Sequence, residues 1–238
     1  MNKKVFAFDL DGTLTEHRTW ITDENMAVLQ SLKDRGIRVV MAGAGQARRI
    51  FKQLREFPVD AIIGNYGLQY AVYRDNLADI EIVRDLTLPC DRESVEKRIT
   101  FLREEHGYTE FAGDNVEFHP SGCVTFPILG TKAVQADKLA FDPDRSRRRK
   151  IYNEVVKAFA DYCVFVGGSS SFDMAPKPYN KYYALDRYCK ENGFSHNEVV
   201  YIGDDYGLGG NDESVYQSDF PYITIDNYLD FPEKVRML

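Results

Sequence analysis

The stretch Val5-Phe6-Ala7-Phe8-Asp9-Leu10-Asp11-Gly12-Thr13 decides the reading of this chain. Four apolar residues running into acids and a glycine mark a buried strand at the point where it leaves the core. A first strand is therefore predicted over residues 4–9. Asp9 and Asp11 stand two residues apart, and in a regular strand both project to one face. Gly12 allows a sharp backbone turn, and Thr13 adds a hydroxyl. Two close carboxylates repel unless a cation or a shared proton relieves them. Mg²⁺ takes oxygen ligands and bridges to phosphate, so the pattern points to phosphoryl chemistry with an aspartate nucleophile.

Outward from this strand, the first third alternates strand and helix. A helix is predicted over 22–35, with apolar Met26, Leu29 and Leu32, Thr22 as its cap and Gly36 at its end. A strand over 37–42, a helix over 46–55 and a strand over 61–63 complete a βαβαβ unit, hence a parallel sheet. Residues 68–72 and 81–86 form a hairpin around Asp75-Asn76. The middle third reads as α+β: helices over 92–106 and 146–161, and strands over 115–118, 123–128, 163–167 and 170–175. Alternation then returns, with helices over 181–192 and 212–218 and strands over 199–202 and 222–225. The fold class is α/β, a Rossmann-like parallel-sheet core with an inserted α+β cap. The core spans 1–84 and 179–238, and the cap spans 85–178.

The 238 residues are 44% hydrophobic, enough for a real core, and carry a net charge of −7, which argues against nucleic acid as a partner. No stretch approaches the roughly 20 apolar residues of a membrane span. The chain runs directly into a strand, which speaks against a signal peptide. Cys90, Cys123, Cys163 and Cys189 form no CxxC pair and read as free thiols in a reducing cytoplasm. The basic run 145–150 reads as the start of a solvated helix.

Three further elements accompany the opening motif. Lys181 begins a helix, where its charge opposes the helix dipole unless an anion is near. Gly203-Asp204-Asp205-Tyr206-Gly207-Leu208-Gly209-Gly210-Asn211-Asp212 follows the apolar strand at 199–202, the end at which open α/β sheets bind ligands. Asp204 is a candidate metal carboxylate there, and Asn211 and Asp212 are candidates to hold the loop or Lys181. Met41-Ala42-Gly43-Ala44-Gly45-Gln46 ends the second strand, where the amides of Gly43 and Ala44 can cradle a phosphate oxygen.

Together these segments resemble the haloacid dehalogenase-like hydrolase superfamily, in its branch with a large α+β cap. Within it the chain is most similar to eukaryotic-type phosphomannomutases. The residues concerned are 9–15 with Arg18, Ser171-Phe172-Asp173, Asn180-Lys181, and 203–212. The resemblance implies that Asp9 attacks phosphorus and that Asp11 is the acid and base. It implies Mg²⁺ held by the Asp9 carboxylate, the Asp11 carbonyl and Asp204, with Lys181 neutralising the phosphoryl group. It also implies that Arg18, Ser171 and Asp173 contact a sugar phosphate. The expected partner is a small phosphorylated metabolite, with no membrane; a homodimer, as in related mutases, stays open.

Two departures from that pattern matter. The superfamily usually ends the second strand with a serine or threonine, whereas Ala42, Ala44 and Gly45 carry no hydroxyl. Losing a comparable donor costs roughly 3 kcal/mol of transition-state stabilisation. The mutases also use several cap arginines, and here His119 and Thr131 stand near those places, with Lys132 and Lys138 the nearest cations. Lysine lacks the bidentate fork of arginine. These departures order the readings: a Mg²⁺-dependent phosphatase of phosphorylated sugars first, a phosphomannomutase-type mutase second, and a phosphosugar-binding regulatory protein third. Trp20 is expected to pack locally. Tyr206 is a candidate substrate gate.

Overall fold

The computed structural model describes residues 3–236, which form two compact units. Within the described residues, the first unit runs to Leu86 and resumes over Asn180–Gly207 and from Asp212. The second is Thr87–Tyr179 with Leu208–Asn211. Those last four residues, assigned to the core from sequence, group instead with the insert, where Val166 N–H donates to the Gly209 carbonyl (2.8 Å).

The chain begins with β1 (Val5–Phe8), α1 (Asp23–Asp34), β2 (Arg38–Ala42), α2 (Ala47–Gln53), β3 (Ala61–Gly64), β4 (Gln69–Arg74) and β5 (Asp79–Asp85). The insert holds α3 (Arg92–His106), β6 (Glu117–Phe118), β7 (Val124–Pro127), α4 (Gln135–Phe141), α5 (Ser146–Ala158), β8 (Tyr162–Phe165) and β9 (Ser171–Pro176). The first unit resumes with α6 (Lys181–Asn192), β10 (Val199–Gly203), α7 (Glu213–Tyr216), β11 (Tyr222–Thr224) and α8 (Phe231–Arg236).

The first sheet has the order β11-β10-β1-β2-β3-β4-β5. Its first five strands are parallel, and the hairpin β4–β5 adds antiparallel to β3. β1 is wholly buried because helices cover both faces, which is why its sequence runs apolar without alternation. Phe6, Phe8, Val39, Met41, Val200 and Ile202 share one core with residues of α1, α2 and α8. Val5, Ala7, Val40, Ala42, Val199 and Tyr201 face the other way, against Ala184, Leu185 and Tyr188 of α6. Thr22 caps α1 by accepting from Asn25 N–H (3.2 Å), as its sequence predicts. β1 lies between β2, which follows it in the chain, and β10, from the far end. Chain order reverses there, and such a point opens a crevice beyond the carboxyl ends of the strands.

In the second unit the sheet order is β6-β7-β9-β8, antiparallel throughout. Val95, Ile99 and Leu102 of α3 and Ile151 and Val155 of α5 pack on it with Phe126, Phe159 and Phe172. The basic run departs from expectation. Arg148 of α5 is fully buried, paired with the equally buried Asp142 (Nε to Oδ2, 2.8 Å). Its guanidinium also donates to the carbonyls of Gly167 (2.5 Å) and Ser171 (3.0 Å). A run of six charges does not reveal which one turns inward; that depends on Asp142 and on the turn between β8 and β9. Sequence periodicity did not reveal α4 or α8. α4 buries no residue, so no apolar stripe marks it.

Candidate active site

Asp9 follows β1 and continues its ladder, its N–H donating to the Ile202 carbonyl (2.9 Å). Its carboxylate Oδ1 accepts from Lys181 Nζ at 2.6 Å, and the same ammonium donates to Asp212 Oδ1 at 2.7 Å. All three side chains are buried. The helix start that looks wrong for a lysine is thus explained by two anions. Asn180 caps α6 by accepting from Tyr183 N–H (2.8 Å), which fixes where Lys181 begins. The Tyr201 hydroxyl, projecting from β10, donates to Asp212 Oδ1 (2.6 Å), and Asp205 N–H donates to Oδ2 (3.0 Å).

Asp204 extends this group. Its Oδ1 accepts from the Thr13 hydroxyl (2.8 Å). Gly12 has φ +97°, and a Cβ there would meet Asp204 Oδ2 at 2.4 Å, so the turn needs glycine for both conformation and space. One oxygen from each of Asp9, Asp204 and Asp212 lies within 4.8 Å of the others. An octahedral Mg²⁺ site at about 2.1 Å sets its oxygens about 3 to 4 Å apart, so the donor set fits a hard divalent cation.

The electrostatics point the same way. Burial drives the Asp9 carboxyl well above its ordinary range; Lys181 pulls it back, and the charges of Asp212 and Asp204 push it up again. Burial, then Asp212, pushes Asp204 up to about 6. Burial works against the Lys181 ammonium, but Asp212 and Asp9 outweigh it and hold its pKa above the ordinary lysine value. Burial and the charges of Asp212 and Asp9 keep Tyr201 a neutral phenol. Crowded acids of raised proton affinity are what a bound cation relieves.

Several sequence-predicted residues stand elsewhere. Asp11 does not join Asp9 on one face, because β1 ends at Phe8 and the chain turns at Gly12. Its carboxylate accepts instead from Arg18 N–H (2.7 Å), Gln53 Nε2 (3.0 Å) and Arg49. Asp212, a candidate to hold the loop or Lys181, accepts from both Lys181 Nζ and the Asp205 N–H of that loop, and is also the third carboxylate of the cluster. Asn211 is half-buried and groups with the second unit. The Gly43 N–H is spent on the Ile63 carbonyl (2.9 Å), so of the predicted phosphate amides Ala44 remains the candidate.

In the first unit, Arg18 is exposed. In the second, the Ser171 hydroxyl donates to the Gly167 carbonyl (3.1 Å). Asp173 Oδ1 accepts from Thr125 Oγ1 (3.0 Å), and burial raises the Asp173 pKa. Since Thr125 gives its one proton to Asp173, it accepts from His119 Nε2 (2.9 Å), which fixes the tautomer of that imidazole. Trp20, expected to pack locally, is 63% exposed. The Tyr206 hydroxyl donates to Asp226 (2.8 Å), and its ring packs against Tyr216 and Tyr222.

Sequence patterns missed Tyr201, Arg49 and Gln53. A lone hydroxyl in the apolar run 199–202 was the available signal for Tyr201, since a buried phenol needs a partner.

A family model described as haloacid dehalogenase-like hydrolase matches residues 6–212. The chain belongs to this family. Among this haloacid dehalogenase-like chain's relatives, the phosphomannomutase of Encephalitozoon cuniculi is 29% identical and aligns with 98% of this chain and 92% of its own length. Phosphomannomutase 2 of Dictyostelium discoideum is 29% identical over 92% of this chain and 88% of its own. A phosphatase of the haloalkanoate enzyme superfamily from Bacteroides thetaiotaomicron superposes with a TM-score of 0.60 at 19% identity, covering 90% of this chain and 80% of that one, a likeness of fold.

Proposed function

We propose that this protein transfers the phosphoryl group of a sugar phosphate through an aspartyl-phosphate on Asp9, in the manner of the phosphomannomutases. The observation that carries it is the buried Asp9–Lys181–Asp212 arrangement with Asp204 beside it. Asp9 and Asp204 would hold Mg²⁺, with Asp212 at hand and the Asp11 carbonyl as the resemblance suggests; when bound, it would neutralise charge on the transferring group.

The Asp9 carboxylate attacks phosphorus, the bond from phosphorus to the sugar oxygen breaks, and that oxygen takes a proton from Asp11. Lys181, kept cationic by two carboxylates, matches the phosphoryl charge. Asp212, oriented by Tyr201 and by Asp205 N–H, holds Lys181 in line. In the second half an acceptor hydroxyl gives its proton to Asp11 and takes the phosphoryl group, restoring Asp9. Arg18 in the first unit and Ser171 and Asp173 in the second are proposed to contact the sugar phosphate.

The nature of the acceptor divides two readings. Relatives that match along nearly their whole length carry the name phosphomannomutase, which puts a second sugar hydroxyl first and reverses the order that sequence alone suggested. Water is the second reading, and a specific observation favours it. His119 is engaged with Thr125, and Thr131 hydrogen-bonds Asp114. The buried arginines Arg103 and Arg148 spend their donors on carbonyls of Pro127, Ile128 and Gly167 rather than offering them to a second phosphate.

Incubation with mannose 1-phosphate, Mg²⁺ and a hexose 1,6-bisphosphate activator tests both. Mannose 6-phosphate as the main product supports the mutase. Inorganic phosphate alone supports the phosphatase. Neither product, across a panel of phosphosugars, overturns phosphoryl transfer itself.

A further inference from the structure

Asp11 carries three donors, and two of them come from one face of α2. Arg49 and Gln53 are four residues apart on that helix, the spacing that sets side chains side by side. Arg49 Nε donates to Gln53 Oε1 (2.9 Å), which settles the orientation of the carboxamide. The Gln53 NH₂ group is thereby turned outward, donating to Asp11 Oδ1 (3.0 Å) and to the Thr19 carbonyl (3.1 Å). Arg49 Nη2 closes the arrangement on Asp11 Oδ2. The guanidinium reaches Asp11 across Gly45, where a Cβ would come within 3.1 Å of Arg49 Nε. One of the positions that lacks the usual hydroxyl is thus also the position that leaves room for Arg49.

We propose that Arg49, braced by Gln53, is the positioning residue that sets the carboxylate of the acid–base Asp11; this rests on the phosphoryl-transfer reading above. A carboxyl group can accept hydrogen bonds at both oxygens, and donors from a helix and from the Arg18 amide hold that of Asp11 in one orientation. The residue that must give a proton to the leaving oxygen and recover one from the acceptor is therefore aimed by a group that need not touch substrate. Glutamine alone supplies one neutral bond to one oxygen. Arginine supplies the bond to the other oxygen and, with it, the rotation of the carboxylate plane.

The test compares Arg49→Met and Arg49→Lys with the wild type on two substrates. A hexose phosphate needs a proton on its leaving oxygen, whereas p-nitrophenyl phosphate releases a stable phenolate without one. Arg49→Met should lower kcat/KM for the hexose phosphate at least about 10-fold, a fraction of the roughly 10²–10⁴ that a positioned acid–base group contributes. Its kcat/KM for p-nitrophenyl phosphate should stay within about 2-fold, and Arg49→Lys should recover part of the loss. An equal fall on both substrates, or none on either, overturns the proposal. A crystal structure of Arg49→Met reads the same point without activity: the Asp11 carboxylate should turn away from Gln53 and the Arg18 amide, and its staying in place also overturns the proposal. If the wild type turns over neither substrate, the phosphoryl-transfer reading fails, and the variant's crystal structure still decides whether Arg49 places Asp11.

Discussion

Lys181 is the residue on which the buried charges balance. Its ammonium stands between two carboxylates, one of them also held by a tyrosine hydroxyl. Truncation to Lys181→Met leaves Asp9 and Asp212 facing each other without a cation. Breaking a buried pair in this way costs about 3–5 kcal/mol, which urea denaturation at neutral pH would measure. The penalty should shrink in mild acid, because burial already favours the protonated form of Asp9. Turnover should fall with it if Lys181 matches the phosphoryl charge as proposed. An unchanged denaturation midpoint would show that the carboxylates do not depend on this lysine.

The central strands and the acidic turns that follow them were legible because their physics is local. Val5-Phe6-Ala7-Phe8 and the run at 199–202 are continuous apolar segments, and glycines with acids follow each one. The charged elements were not legible in the same way. Nothing in Arg145 to Lys150 distinguishes Arg148, because its burial depends on Asp142 and on carbonyls of the β8–β9 turn. The same holds for Asp11: two carboxylates two apart read as a pair, but the strand stops at Phe8 and α2 captures the second. Arg148 therefore acts as a brace for the turn that leads into Ser171 and Asp173. Arg148→Met should destabilise the protein by about 3–5 kcal/mol in guanidinium denaturation, and adding Asp142→Leu should recover part of that by removing the orphaned charge. A double variant no more stable than the single one would argue against the pair.

For the molecule as a whole, the acidic cluster ties stability to pH and metal together. Burial lifts Asp204 to about 6 from an ordinary carboxylate value of 3.8. Between those two values the folded protein keeps a proton that the unfolded chain has lost, so metal-free stability falls as pH rises through that window. Mg²⁺ held there as proposed would bind the ionised form and reverse the loss. The gain in melting temperature on adding Mg²⁺ should thus be larger at about pH 7.5 than at about pH 5, and an equal gain at both would sink the carboxylate assignment.

The same topology sets an order in time. Asp9 is translated 172 residues before its lysine partner, and β10, which flanks β1, comes later still. At roughly 5–20 residues per second, a ribosome exposes Asp9 for on the order of 10–30 s before Lys181 exists. Through that interval the nascent chain carries an acid that cannot be buried cheaply and a central strand with one neighbour missing. The buried Asp9–Lys181–Asp212 group therefore cannot assemble until the chain has been synthesised through Asp212, and a chain stalled before that point lacks it altogether.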